Sequence, residues 1–305
     1  MIYEGLSGLI GKTPLLRLKR LEERYGLKCK LYAKLEYLNP TGSAKDRAAL
    51  QMINAAEAAG KIKEGAVIIE PTSGNTGIAI AAIAASRGYK AIIVMPDTMS
   101  RERILFIKAY GAEVHLTDGK LGMAGAISYA NELHERTENS FIPSQFDNVE
   151  NKRAHLLTTG PEIYADLGDE LDVFVAAVGT GGTLSGTGEY LKSKNPDIKV
   201  IAVEPSESPL LSGGSAAPHK IQGIGANFIP KILNTEIYDR VITSSAADAY
   251  ALAREAARLE GIGVGISSGA ALFGAIEAAK ELSCGCVAVL LPDGVDRYLT
   301  TDLFD

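Results

Sequence analysis

The sequence predicts an α/β protein of two lobes, each a mostly parallel twisted sheet covered by helices, with a binding cleft between them. Three observations lead there. Short β-branched or aliphatic runs alternate with longer Ala-rich stretches of helical period along nearly the whole chain, which is a βαβ rhythm. Most of the short runs are continuously apolar rather than alternating, as in strands buried on both faces of a parallel sheet. With 305 residues and 46% hydrophobic side chains, the chain has the length of two domains and enough apolar material for their cores.

Taken in order, strands are expected at 31–35, 67–70, 91–95, 113–117, 173–178, 200–204 and 287–291, with a further short one at Phe141-Ile142. Helices are expected at 43–59, 76–87, 100–110, 123–135, 183–194, 246–259 and 268–282, nearly all starting beside Ser, Thr or Gly. No repeat of 20 to 50 residues and no low-complexity linker divides the chain, so the boundary is read from polarity. The polar stretches 135–140 and 147–153 bracket the Phe141 strand and put the crossing near residue 147. A smaller, mobile domain over 38–147 and a larger one from 1–37 and 148–305 are the expectation.

The 31 Lys+Arg and 37 Asp+Glu leave a net charge of −6, which disfavours nonspecific nucleic-acid binding. The longest apolar stretch, 78–85, is far short of the ~18 residues that span a bilayer, and Met1 to Gly5 lacks a basic segment followed by an apolar one. No membrane contact is expected. Three cysteines, Cys29, Cys284 and Cys286, cannot all pair within one chain, which fits a reducing, cytoplasmic setting. Cys284-Gly285-Cys286 reads as a reduced turn before the last strand, since no second Cys/His cluster accompanies it, and no metal is expected. The histidines His115, His134, His155 and His219 show no His-Glu-x-x-His spacing and are given structural roles.

In open α/β sheets, ligands sit beyond the carboxyl ends of the strands, so the loops there carry the chemistry. Gly179-Thr180-Gly181-Gly182-Thr183 follows a strand and opens a helix, where converging N–H groups and the helix dipole suit a phosphate. A dinucleotide fingerprint fails because Leu184 stands where the third Gly belongs, and a P-loop fails because Thr187-Gly188 follows Gly186. Tight helix-on-strand packing is the other use of such glycines. The loop Glu70-Pro71-Thr72-Ser73-Gly74-Asn75-Thr76-Gly77 combines hydroxyls, an amide and a helix start that would hold a small carboxylate, or simply cap the helix. In Asn39 to Arg47, Lys45 falls in the first turn of a helix. Burial and the positive helix end would depress its pKa toward the neutral amine of Schiff-base chemistry, unless it is a solvated lysine paired with Asp46 or Glu36.

Together these segments resemble pyridoxal-phosphate enzymes of the tryptophan-synthase-β fold (fold type II), most closely the O-acetylserine sulfhydrylase (cysteine synthase) family. The resemblance runs nearly end to end, through Gly11-Lys12-Thr13-Pro14-Leu15, Asn39 to Arg47, Pro71 to Gly77, Met95 to Ser100, Thr158 to Glu162, Gly179 to Thr183, His219 to Ala226, Gly265 to Ala270 and Arg297-Tyr298-Leu299. It implies pyridoxal 5'-phosphate in the cleft, with Lys45 as Schiff-base lysine and catalytic base. It further implies that Gly179, Thr180, Gly181, Gly182 and Thr183 hold the phosphate, Asn75 the ring hydroxyl oxygen and Ser267 the pyridine nitrogen. Thr72, Ser73, Gly74, Thr76 and Gln145 would bind the substrate carboxylate, with Gly223 and Gly225 in a segment that closes over it.

The implied reaction is β-replacement on O-acetyl-L-serine by sulfide through an aminoacrylate, giving L-cysteine. Homocysteine as nucleophile (cystathionine synthesis) and O-phosphoserine as donor are close alternatives. The resemblance also implies a homodimer and a cleft able to take the C-terminal tail of serine acetyltransferase, so a mainly binding role is the alternative of another class. The sequence departs from the family pattern at Pro292-Asp293-Gly294-Val295-Asp296-Arg297, where relatives more often have Pro-Ser-x-Gly-Glu-Arg. Asp293 therefore either adds an anion near the ring side of the site or points to solvent. The segment 148–153 also lacks a proline usual there, and Pro143-Ser144-Gln145 keeps one of two usual glutamines.

Overall fold

The structure is a computed structural model that describes residues 2–72 and 74–304. The first half of the chain forms β1 (Leu15–Arg17), α1 (Lys19–Tyr25), β2 (Lys30–Leu35), α2 (Lys45–Ala58), β3 (Val67–Pro71), α3 (Asn75–Arg87), β4 (Lys90–Pro96), α4 (Arg101–Ala109), β5 (Glu113–Thr117), α5 (Gly122–Glu135) and β6 (Ser140–Phe141). The second half forms α6 (Val149–Ala154), α7 (Gly160–Leu167), β7 (Val173–Ala177), α8 (Gly182–Lys194), β8 (Lys199–Pro205), β9 (Arg240–Ser244), α9 (Ala246–Glu255), α10 (Ile266–Lys280) and β10 (Cys286–Leu291).

Two sheets result, one ordered β1-β2-β10-β7-β8-β9 and the other β5-β4-β3-β6. Every neighbouring pair is parallel except β1 with β2. The register Val287↔Leu31 and Val287↔Val173 explains why these runs are apolar throughout. Val173, Val175, Val287, Val289 and Leu291 pack with α10 on one face, while Phe174, Ala176, Ala288 and Leu290 meet Leu184 and Leu191 of α8 on the other. The four-stranded sheet repeats this, with Ile68, Ile93 and Met95 against Ile78 and Ile107, and Ile69 and Val94 against Ala126 and Ala130. Alanine dominates the packed faces of α3 and α10, which brings helix axes close to the strands.

The expected strands and helices are present to within a few residues. The sequence reading passed over β1, β9, α1, α6 and α7. The edge strand β9 has a mixed burial pattern, so it carries no continuous apolar run. Between α6 and α7, the π-helical turn His155–Thr159 shifts the helical period, and Gly160-Pro161 looks like a breaker. Pro161 is tolerated because it stands in the first turn of α7, where no N–H is needed.

A buried ionic cluster ties β2, α2 and α7 together. Arg47 donates from Nε and Nη2 to Glu36 at 2.7 and 2.8 Å and from Nη1 to Glu162 at 2.7 Å. Thr13 Oγ1 donates to Glu36 at 2.6 Å, and Lys34 Nζ lies 2.8 Å from Glu162. Burial alone would raise Glu162, but Arg47 and Lys34 outweigh it and hold the carboxyl at about 2. Arg47→Leu would strand the fully buried Glu36, a loss on the order of 3 to 5 kcal/mol. Urea unfolding checks this; an unchanged midpoint would mean that the cluster carries no net stability.

Candidate active site

The carboxyl ends of β2, β3, β7 and β10 open on the seam between the two sheets, and α2, α3 and α8 start just beyond the first three of them. The start of α10 joins them, where Gly265 N–H donates to the Asp293 carbonyl at 3.0 Å. The residues before these helices, Ala44, Gly74, Gly181 and Gly265, make no side-chain cap. By contrast α9, away from the seam, has a full capping box from Ser245 and Asp248. At α2 the Ser43 hydroxyl nevertheless accepts from Lys45 N at 3.3 Å, so the seam collects open N–H groups from α3, α8 and α10 together with the positive ends of four helix dipoles.

At its three glycines the 179–183 loop is packed so closely against neighbouring segments that no side chain fits. Gly181 has φ +83°, a left-handed conformation, and a Cβ on Gly179 would lie 2.6 Å from the Gly223 carbonyl oxygen. On Gly182 a Cβ would run into the Asn151 carboxamide. Asn151, 1% exposed, donates to Thr180 Oγ1 at 3.0 Å and to the Gln145 carbonyl at 2.8 Å. The Thr183 hydroxyl lies 3.2 Å from His155 Nε2, and His155 Nδ1 lies 2.9 Å from Thr159 Oγ1. Burial, helped by Arg47, pushes His155 down to about 3, so the ring stays neutral.

Asn151 and His155 were not singled out from the sequence as site residues. Both reach the loop because the π turn and the small residues Gly182, Ser185 and Gly186 let α8 approach the 149–159 segment closely. A run of small residues on one helix face is the one signal that pointed there.

Lys45 is half-buried at the start of α2, and among the described residues its ammonium makes no ion pair. Neither expected partner is available. Asp46 turns back to accept from Thr41 N at 2.8 Å, and Glu36 is occupied by Arg47. Burial lowers the Lys45 pKa, while the charge of Asp293 opposes the shift. Asp293 does not point to solvent: it is 1% exposed and accepts from Asn75 Nδ2 at 2.7 Å.

On the other wall, Thr72, Thr76 and Gln145 are buried, and Thr76 Oγ1 donates to Gln145 Oε1 at 2.7 Å. Glu70 holds this loop from behind, accepting from the Ser144 and Gln145 main-chain N–H groups at 2.9 and 3.1 Å. Burial raises the Glu70 carboxyl to about 7 against those two hydrogen bonds. Gly74 lies against the Arg103 guanidinium, and Ser73 lies outside the described residues. Arg103 Nη1 donates to Gln222 at 2.5 Å, joining this wall to the 222–226 segment. There Gly223 and Gly225 have φ +95° and +63°, and a Cβ on Gly223 would meet Ser267 Oγ at 3.4 Å. Ser267 is itself buried at the head of α10. The structure therefore brings the described residues expected at the site to one seam.

Its chemistry is that of an anion cradle, an unpaired amine and a buried polar rim. Asn75 Oδ1 is buried without a hydrogen-bond partner, so the rim offers an unused acceptor beside the amine. A phosphorylated, polar aromatic aldehyde matches these groups. Among the described residues no cluster of three or more His, Cys, Asp or Glu could hold a metal, and no helix is long and apolar enough to cross a membrane.

Fold and site define a two-lobed enzyme of the fold type II class, and the chain belongs to the pyridoxal-phosphate dependent enzyme family, whose profile matches residues 6–293. Its relatives are more particular. It is 55% identical over 307 residues to the probable cysteine synthase of Bacillus subtilis (strain 168), covering 99% of this chain and 98% of that protein. The crystal structure of cysteine synthase from Entamoeba histolytica superposes with a TM-score of 0.96 at 42% identity, covering 100% of this chain and 91% of that one. The O-acetylserine dependent cystathionine β-synthase of Helicobacter pylori superposes with a TM-score of 0.95 at 40% identity over the whole of both chains.

Two outcomes are expected. Gly181→Val should weaken binding of pyridoxal phosphate more than tenfold, read by fluorescence titration, because a Cβ there would lie 2.7 Å from Leu233 Cβ and oppose the positive φ, forcing the loop out of its cradle shape; unchanged affinity would make the loop a packing turn. His155 binds no proton in the folded chain until about pH 3 while the unfolded chain takes one up near 6.5. Stability is therefore lost as pH falls through that window, by up to about 1.4 kcal/mol per unit. The stability advantage of wild type over His155→Gln in urea should narrow at that rate below pH 6.5, and a constant difference would mean that the folded imidazole protonates.

Proposed function

We propose that this chain binds pyridoxal 5'-phosphate through Lys45 and makes L-cysteine from O-acetyl-L-serine and sulfide by β-replacement. The observation that carries the reading is the Lys45 amine at the start of α2, without an ion pair and depressed by burial, in the field of the same Asp293 carboxylate that accepts from Asn75. The names of the relatives point the same way.

In this reading Gly179, Thr180, Gly181, Gly182 and Thr183 hold the phosphate, Asn75 meets the ring oxygen and Ser267 meets the ring nitrogen. The bound cofactor supplies the electron sink that makes the substrate α-proton removable and acetate expellable. Thr72, Ser73, Gly74, Thr76 and Gln145 orient the substrate carboxylate with hydroxyls and N–H groups, which adds no competing cation. Lys45, freed as a neutral amine, takes the α-proton and returns it at the end. A neutral Ser267 hydroxyl places no negative charge at the ring nitrogen, which favours expulsion of the leaving group over prolonged carbanion storage. Closure by the 222–226 segment, with hinge freedom at Gly223 and Gly225, and movement of a domain over 38–147 exclude water during the reaction. A cytoplasmic homodimer whose cleft also accepts the serine acetyltransferase tail completes the reading.

The cystathionine-forming neighbour supports a second reading in which homocysteine is the nucleophile. Purified protein given O-acetylserine or O-phosphoserine, with sulfide or homocysteine, separates the readings by product mass. Cysteine from O-acetylserine and sulfide should have the highest kcat/KM; a higher value for homocysteine selects the second reading. Lys45→Ala should lower turnover more than about 10³-fold with an unchanged unfolding midpoint. Sustained multiple turnover in that variant would sink the assignment.

A further inference from the structure

Asp293 follows β10 by two residues, at the point where the two sheets come together. Its Oδ2 accepts hydrogen bonds from Asn75 Nδ2 and from the Tyr298 hydroxyl, both at 2.7 Å, while its Oδ1 is buried and accepts none. The main chain is pinned as well. Its carbonyl accepts from Gly265 N at 3.0 Å and Ser268 Oγ at 3.2 Å, and a β-bridge pairs residue 293 with Ser43, two residues before Lys45. The position of the carboxylate is thus fixed from both sides of the seam.

The charged and titratable groups that face it come from several elements. From α2 comes Lys45, whose ammonium form Asp293 favours. Tyr298 is fully buried, and burial together with Asp293 raises its phenol well above the usual range, so it stays a donor. The guanidinium of Arg103 of α4 lies over the Tyr298 ring, 5.2 Å from its centroid. Arg297 is turned away toward the Thr41 carbonyl and Asp296. Among the described residues no cation forms an ion pair with Asp293, so its charge is left facing the amine.

A carboxylate accepts and does not donate, so it dictates how its neighbours turn. Asn75 must direct Nδ2 at Asp293, which leaves the buried Oδ1 and one remaining N–H to the ligand. We propose that Asp293 is a positioning residue of the cofactor site: it fixes which atoms of the Asn75 amide face the ring oxygen, and it is the negative counter-charge to the nitrogen of Lys45. This rests on the assignment of Lys45 and Asn75 to the cofactor. A serine at this position would supply neither the charge nor a pure acceptor.

The test uses holoenzyme of wild type, Asp293→Asn and Asp293→Ser, following the visible absorption of the lysine-bound cofactor against pH. Without the counter-charge, the proton on the lysine nitrogen should be lost at least about one pH unit lower in both variants, a tenfold fall in proton affinity. Cofactor dissociation constants of Asn75→Ala, Asp293→Asn and the double variant give the second readout. If Asp293 acts through Asn75, the double variant binds no more weakly than Asn75→Ala. Titrations that coincide with wild type, or losses of affinity that multiply, overturn the proposal. Should Asp293→Asn fail to fold, Asp293→Ser decides the titration alone. A wild-type protein that borohydride does not label at Lys45 overturns the cofactor assignment itself, a result seen before any variant is made.

Discussion

A strand in a parallel sheet must be followed by a crossover, and the helix that makes it begins with N–H groups that have no partner in its own chain segment. In this protein two sheets turn such ends on one seam, and the helices α3, α8 and α10 arrive there without side-chain caps. The rest of the site depends on that excess of donors. It attracts anions, it disfavours an ammonium, and it makes room for glycine where a side chain would otherwise supply the missing acceptor. The capping box on α9 shows that the chain caps helices in the usual way away from the seam.

Keeping an unpaired lysine in such a place requires that nearby carboxylates be engaged elsewhere. Glu36 and Glu162 are both bound to Arg47, and Asp46 is folded back on Thr41. Burial lifts Asp46 to about 6 against these hydrogen bonds, so its charge at neutral pH is sustained by Thr41 rather than by Lys45. The buried Arg47 cluster is therefore more than a support for β2 and α7. It engages Glu36 and Glu162, while Asp293 is the carboxylate whose charge acts on the amine.

The same economy of polar groups joins the lobes. By hydrogen bonds, Asn151 spans from Gln145 to Thr180, Arg103 of α4 reaches Gln222, and Asn75 of α3 reaches Asp293. Each link ends on a segment that the proposed reaction uses, so a change at one wall is transmitted by hydrogen bonds of defined direction rather than by general flexibility. Glu70 holds Ser144 and Gln145 from behind, so the Gln145 side of the seam is held by a single buried acid.

The sequence by itself determined the layered α/β class, the strands from β2 to β8 with β6 displaced by one residue, the last strand β10, and the loops that carry Lys45, Asn75 and Gly181, because each depends on contacts within a few residues. Continuous apolar runs follow from two-sided burial, and strand-Gly-helix punctuation follows from local backbone geometry. Tertiary structure alone decided what those loops meet. Nothing near His155 in the sequence reveals that a π turn sets it against Thr183, the residue types around Lys45 leave open whether Asp46 and Glu36 pair with it or with their other neighbours Thr41 and Arg47, and Asp293 was equally compatible with solvent. The directions side chains take and the contacts between distant segments are set by how two sheets pack, and neither propensity nor periodicity encodes the charge that packing leaves unpaired.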